Sequence, residues 1–127
     1  MANGTPIGRV RGLGSAHEGA HHWLSQRFTA IGNLVLVSFL VISLALQPAY
    51  DHATLAAWAG QIVVATALAL LVVNVFLHAR LGVQVMIEDY VHTAGNKFAA
   101  IALLNVAVVA GIAFGLISLA RIAFTGS

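Results

Sequence analysis

Hydrophobic and polar positions divide the chain into three long apolar stretches separated by short polar segments. The stretches cover residues 28–46, 55–86 and 98–124. Each reaches the length of about 20 mostly apolar residues that an α-helix needs to cross a bilayer. Gln47 and Pro48 close the first stretch, because proline cannot continue the helical hydrogen-bond ladder. The pattern predicts an all-α fold, a bundle of three transmembrane helices joined by segments 48–54 and 88–97.

The second stretch is longer than a bilayer requires. About 32 residues at a rise of 1.5 Å span about 48 Å, whereas the hydrocarbon core is about 30 Å thick. The last turns of this helix are therefore expected to leave the bilayer, which puts Glu88, Asp89 and Tyr90 at the membrane surface. His78 lies further back along the helix, at membrane depth.

Composition supports lipid as the solvent of this chain. Hydrophobic residues make up 60% and charged residues 8%, whereas a soluble domain carries about 25% charged residues. The net charge of +2 rests on few residues and does not favour a nucleic-acid partner. The chain has no cysteine, which excludes disulfides, thiolate metal sites and iron–sulfur clusters within it.

The distribution of cationic residues predicts the orientation of the helices, because lysine and arginine are enriched in cytoplasmic segments. Five of the six are expected on one side: Arg9, Arg11, Arg27, Arg80 and Lys97. Only Arg121 is expected on the other side. We therefore predict that a tail of residues 1–27 and the segment 88–97 face the cytoplasm. The membrane domain follows the tail and covers residues 28–127.

The tail lacks the apolar run of a secretory signal. Its three arginines and single acidic residue give it some character of a mitochondrial transit peptide. We interpret it as a cytoplasmic tail, which corresponds to a multi-pass protein of the bacterial inner membrane rather than of the mitochondrial one.

His78 is the candidate cofactor ligand, since ionisable residues at membrane depth are rare and often functional. The alternative is a histidine that is hydrogen-bonded to a neighbouring helix. Gly82, one turn away on the same face, would let a flat macrocycle approach, although glycine equally suits close helix packing. The other histidines do not lie at this depth. A bis-histidine haem would thus take its second ligand from another chain and suit electron transfer.

Tyr90 and Asp89 are the candidate residues for a quinone at the membrane surface. A phenol can donate a hydrogen bond to a quinone carbonyl, and the neighbouring carboxylate can orient that phenol or supply protons. The alternatives are an aromatic residue of the interfacial belt and a solvated loop carboxylate.

His21 and Arg27, at the opening of the first span, are candidates for neutralising the carboxylates of a bound cofactor, such as haem propionates. Alternatively, Trp23 and Arg27 are interfacial anchors.

Arg80 lies about 200° from His78 on the helical wheel and is expected to extend toward the headgroups. Asn74, Asn105 and a group of small residues in the third span are expected at helix contacts; that group is Gly111, Gly115 and Ser118.

The sequence resembles the hydrophobic membrane-anchor subunits of succinate dehydrogenase, respiratory complex II. The resemblance covers nearly the whole chain. It includes "RFTA" at the start of the first span and the block "HARLGVQVMIEDYVH". In that block a histidine is followed by A-x-x-G and then by Asp-Tyr-Val, with Tyr90 twelve residues after His78.

The resemblance implies a role for each matching residue. His78 falls where the family has an axial ligand of haem b, with the other ligand in the cytochrome b subunit. Tyr90 falls at the ubiquinone-binding tyrosine, with Asp89 beside it. His21 and Arg27 fall near the haem and quinone region, but the pair of histidines at 21–22 makes that alignment ambiguous by one residue.

The expected function is that of the membrane anchor of succinate:ubiquinone oxidoreductase, packed against a second membrane subunit with haem b between them. The iron–sulfur and flavoprotein subunits would be the further partners, and the chain alone would not be active. Two alternatives stay open. One is the anchor of a fumarate reductase, which oxidises quinol. The other is a structural or assembly membrane protein without a cofactor.

Overall fold

The computed structural model describes residues 16–125 and contains four helices in that range. In chain order they are α1 (Ala16–Ala45), α2 (His52–Gly60), α3 (Ile62–Tyr90) and α4 (Ala94–Thr125). Helices α1, α3 and α4 are each long and apolar enough to cross a membrane. The predicted all-α bundle of three transmembrane helices is therefore confirmed.

Helix α3 is the central helix, with α1 packed along one side and α4 along another. His78 contacts α1, whereas Arg80 contacts α4. The two residues are about 200° apart on the helical wheel, so the two neighbours lie on opposite sides of α3. Helix α2 also contacts α3.

Most large apolar side chains of the described residues face outward. The buried apolar residues of this part of the chain are Leu40, Trp58, Ala59, Val64, Ala67 and Val108. Five of these six residues, all except Val108, form one cluster where α1, α2 and α3 meet. Side chains such as Phe114 are 76% exposed within the chain. An outer surface of this kind is stable only against lipid or another membrane subunit.

The second predicted span is interrupted in the structure, so the prediction of one helix through residues 55–86 was wrong. Helix α2 ends at Gly60, and Gln61 has an extended backbone (φ −63°, ψ 131°) before α3 begins at Ile62. Hydropathy did not reveal this break because both sides of it are apolar. Helix α3 has 29 residues, and at a rise of 1.5 Å it measures about 44 Å, still longer than the bilayer core.

Helix α2 lies at the end of the bundle opposite to Tyr90. Asp51 caps its N-terminus, since the carboxylate accepts hydrogen bonds from the Thr54 hydroxyl (2.6 Å) and backbone N–H (3.3 Å). These bonds, the hydroxyl bond first, lower the pKa of the Asp51 carboxyl below its ordinary value. The Trp58 indole N–H donates to the Ser43 hydroxyl at 2.9 Å and joins α2 to α1.

Helices α3 and α4 approach closely at two glycines of α4. A Cβ atom added at Gly111 would overlap the ring of Phe76, and one added at Gly115 would lie 2.8 Å from Cγ1 of Val72. Gly111 and Gly115 are four residues apart on α4, and Val72 and Phe76 are four residues apart on α3. This spacing is expected for a small-xxx-small contact between membrane helices. The predicted packing role of Gly111 and Gly115 is confirmed.

Candidate functional site

A polar cluster joins α1 to α3 near the middle of both helices. Thr29 and Asn33 are four residues apart on α1, and Asn74 and His78 are four residues apart on α3. Residues at this spacing lie on one face of a helix, so the antiparallel helices place two polar residues opposite two others. The Asn74 amide Nδ2 donates to Asn33 Oδ1 (2.8 Å) and to the Thr29 backbone carbonyl (2.7 Å).

Gly32 makes room for this cluster. A Cβ atom at position 32 would lie 2.9 Å from Asn74 Nδ2, so any larger residue would push the amide away from its acceptors. The cluster therefore depends on a small residue on α1 as well as on its polar members.

His78 is held from one side of its ring. Its Nδ1 lies 2.9 Å from Thr29 Oγ1, and the ring is half-buried. Within residues 16–125 the other ring nitrogen, Nε2, has no hydrogen-bond partner. The residue is 16 positions after the start of α3 and 12 before its end, which puts it near the middle of the span. The imidazole is thus fixed at Nδ1 and free to bind through Nε2.

The surface beside His78 is open at Gly82. A Cβ atom added there would meet nothing within 4 Å. Within the described chain, Gly82 is therefore not a position of close helix packing. The lack of a side chain one turn from His78 leaves space for a flat group or for a partner subunit.

Tyr90 and Asp89 lie at the end of α3, away from His78. Tyr90 is the last residue of the helix and is 78% exposed, and Asp89 is also exposed. In the described part of the chain, neither side chain makes a hydrogen bond. Twelve residues of helix separate Tyr90 from His78, a distance of about 18 Å along the axis. The structure thus has two separate candidate positions on one helix.

The end of α3 is fastened by neighbouring polar groups. The Gln84 amide donates to the Glu88 carboxylate at 2.8 Å, and Lys97 Nζ donates to the Glu88 backbone carbonyl at 3.3 Å. The second bond joins the last turn of α3 to the first turn of α4. These contacts hold the segment that carries Asp89 and Tyr90.

At positions 21 and 22 the structure distinguishes the two histidines. His21 is exposed, whereas His22 is half-buried and its Nε2 atom is buried with no partner among residues 16–125. His22 lines a cleft between the start of α1 and the end of α3. The residues around this cleft are Gly19, His22, Trp23, Gln26, Gln84 and Glu88. The sequence pointed to His21, but His22 is the one that faces α3.

Arg27 and Arg80 have partners within the chain. The Arg27 guanidinium lies over the Trp23 ring, 5.1 Å from its centroid, which matches an interfacial anchor. Arg80 Nε donates to Asn105 Oδ1 at 2.6 Å and is partly buried. Arg80 thus has a partner on α4, and its extension toward the headgroups stays a prediction. Asn105 lies at the helix contact, as predicted.

His78 is not part of a metal-binding cluster within the described residues. Among residues 16–125, no group of three or more histidine, cysteine, aspartate or glutamate side chains could hold a metal ion.

Comparisons with known proteins agree with this architecture. A profile of the family described as "Succinate dehydrogenase/Fumarate reductase transmembrane subunit" matches residues 1–114. A protein of Rickettsia bellii (strain RML369-C), named "Succinate dehydrogenase hydrophobic membrane anchor subunit", is 37% identical over 86 residues, which are 67% of this chain and 68% of the relative. A protein of Paracoccus denitrificans with the same name is 33% identical over 97 residues, 76% of this chain and 75% of that protein. No solved structure gives a significant match.

Proposed function

Because the chain belongs to the family of succinate dehydrogenase and fumarate reductase transmembrane subunits, we propose that it anchors a succinate:ubiquinone oxidoreductase in the bacterial inner membrane. In this proposal it supplies one axial ligand of haem b and part of the quinone-reduction site. The names of both relatives favour the succinate dehydrogenase over the fumarate reductase direction.

The observation that carries the haem proposal is the state of His78. Its Nδ1 is held by Thr29, its Nε2 is without a partner among residues 16–125, and Gly82 leaves open space one turn away. A single histidine of this kind fits half of a bis-histidine site. A haem with two histidine ligands supplies one-electron transfer without an open site for oxygen. The second ligand would come from the partner cytochrome b subunit.

The remaining partners follow from the resemblance to succinate dehydrogenase membrane anchors. It implies an iron–sulfur subunit that would deliver electrons and a flavoprotein subunit that would oxidise succinate, and this chain has no cysteine to hold iron–sulfur clusters itself. The exposed apolar surface of the three helices would contact the cytochrome b subunit and lipid. With the N-terminus cytoplasmic, the end of α3 would face the soluble subunits.

For the quinone, we assign hydrogen-bond donation to the Tyr90 hydroxyl and a supporting role to the Asp89 carboxylate. Both groups lie at the exposed end of α3 and are not hydrogen-bonded within residues 16–125, so they are free to meet a ligand in the assembled complex. His21, its neighbour His22 and Arg27 lie on α1 at the same end and are the basic groups that we assign to acidic substituents of a cofactor.

The experiment that tests the haem assignment compares His78→Ala with His52→Ala in the purified complex. His52 lies at the start of α2, at the opposite end of the bundle. We expect His78→Ala to lose the low-spin bis-histidine haem b spectrum while His52→Ala keeps it. Assembly should survive in both, since apolar helix packing supplies much of the association. An unchanged low-spin spectrum in His78→Ala would show that His78 is a packing residue hydrogen-bonded to α1.

A further inference from the structure

Thr29 has three polar neighbours and one hydroxyl hydrogen. Its Oγ1 lies 2.8 Å from the Ser25 carbonyl oxygen, 3.1 Å from the Gln26 carbonyl oxygen and 2.9 Å from His78 Nδ1. The two carbonyl oxygens can only accept hydrogen bonds, whereas the imidazole nitrogen can donate or accept. In one arrangement all three contacts are hydrogen bonds: the hydroxyl donates back to its own helix, and His78 Nδ1–H donates to Oγ1.

In this arrangement the imidazole carries its hydrogen on Nδ1. A neutral histidine carries its hydrogen on one ring nitrogen, so a hydrogen on Nδ1 leaves the lone pair of Nε2 available for a metal. A hydrogen-bond acceptor on the second nitrogen of a ligating histidine also orients the ring and raises its basicity. The hydroxyl of Thr29, polarised by donating to a carbonyl, is such an acceptor.

We propose that Thr29 is a positioning residue that sets the tautomer, ring orientation and donor strength of His78 toward the haem iron. The inference rests on the proposed haem ligation by His78. The structure supports it at a second point, because Asn74 Nδ2 donates to the Thr29 backbone carbonyl at 2.7 Å and to Asn33 at 2.8 Å. Thr29 is thus bound to α3 through both its side chain and its backbone, which restricts its movement relative to the imidazole.

The test uses Thr29→Val in the purified complex, because valine keeps the shape of threonine and removes the hydroxyl. Thr29→Ser keeps the hydroxyl and should behave as wild type. Thr66→Val is the matched control: the Thr66 hydroxyl also donates to the carbonyl four residues earlier, Ile62, at 2.7 Å, but it is exposed and contacts no histidine. If the valine variant does not assemble, the measurement is repeated with Thr29→Ala, because alanine is a strong helix former.

Two readouts are independent of turnover: the midpoint potential of the haem and its transfer to excess apomyoglobin. Loss of one neutral hydrogen bond to the ligand should lower the ratio of ferric to ferrous haem affinity by about 2- to 12-fold. The potential then shifts in the positive direction, by about 59 mV for a tenfold change in a one-electron couple. Haem affinity should fall by about 10- to 100-fold, the usual effect of removing a second partner of a metal-bound histidine.

The outcomes separate this inference from the haem assignment. A wild-type potential and wild-type haem retention in Thr29→Val would overturn the role of Thr29, provided that His78→Ala loses the low-spin spectrum. A serine variant that shifts as far as the valine variant would also overturn it, since packing rather than the hydroxyl would then be responsible. If His78→Ala keeps the low-spin spectrum, the haem ligation itself is refuted.

Discussion

Gly111→Ala tests the contact between α3 and α4 at its tightest point. The added Cβ would overlap the Phe76 ring, with ring atoms Cε1 and Cζ nearest. Overpacking of this kind costs about 1–3 kcal/mol, while replacing glycine by alanine in a helix stabilises it by up to about 1 kcal/mol. The net expectation is therefore a loss of about 0–3 kcal/mol in the free energy of unfolding.

Gly95→Ala is the control that isolates the steric part of the stability loss expected for Gly111→Ala. Gly95 lies in the first turn of the same helix, and a Cβ atom there would meet nothing within 4 Å. The control should gain up to about 1 kcal/mol. The two variants should then differ by about 1–3 kcal/mol, which is about a 5- to 150-fold difference in the unfolding equilibrium constant.

The assay is an SDS titration of the chain in mild detergent, with helix content followed by circular dichroism. A second variant, Phe76→Leu, provides a double-mutant cycle with Gly111→Ala. Leucine makes room for the new methyl group, so the combined loss should be smaller than the sum of the single losses by about 0.5–3 kcal/mol. Equal stability of Gly111→Ala and Gly95→Ala, or additive losses in the cycle, would refute the close approach of the helices at Phe76.

Two further predictions concern the ends of the bundle. Tyr90→Phe keeps the ring and removes the hydroxyl, so quinone-dependent turnover should fall by about 2- to 15-fold. Succinate oxidation measured with an acceptor that takes electrons before the quinone should stay nearly unchanged. Equal losses in both assays would indicate a structural role for Tyr90, and no loss in either would indicate an aromatic anchor. Because the chain has no cysteine, a single cysteine can be introduced at Thr93, between α3 and α4, or at Ala49, between α1 and α2, where both residues are exposed. Thr93→Cys should react with a label added from the cytoplasmic side, and Ala49→Cys with a label added from outside. The reverse pattern would contradict the orientation derived from the lysines and arginines.

The three transmembrane helices could be predicted from the sequence because a bilayer demands long apolar helices and tolerates few other spanning structures. The comparisons also confirm the resemblance to succinate dehydrogenase membrane anchors. The break at Gln61 could not be predicted in this way. Trp58 and Ala59 are as apolar as a lipid-facing segment, and in the structure they are buried in the cluster that also contains residues of α1 and α3.

The hydrophobic periodicity of the sequence could not predict which side chains contact the residues of the candidate site. The sequence predicted that Asn74 lies at a helix contact, but it carried no information on how α1 is rotated against α3. The contact of His78 with Thr29 joins residues 49 positions apart, and it depends on that rotation and on the register of the two helices. The same limit applies to Arg80, whose acceptor Asn105 is on another helix.

Polar contacts on opposite sides of α3 explain how one rotation of this helix is selected. Its sequence is dominated by valine, leucine and alanine, and Phe76 and Val72 pack closely against the glycines of α4. Hydrogen bonds between membrane helices contribute only about 0.6 kcal/mol each on average. A rotation by one residue turns the helix by 100°, which would separate Asn74 from α1 and Arg80 from Asn105 together. Both contacts are satisfied only when His78 faces Thr29. The direction of the imidazole is thus determined by polar side chains that contribute little to overall stability.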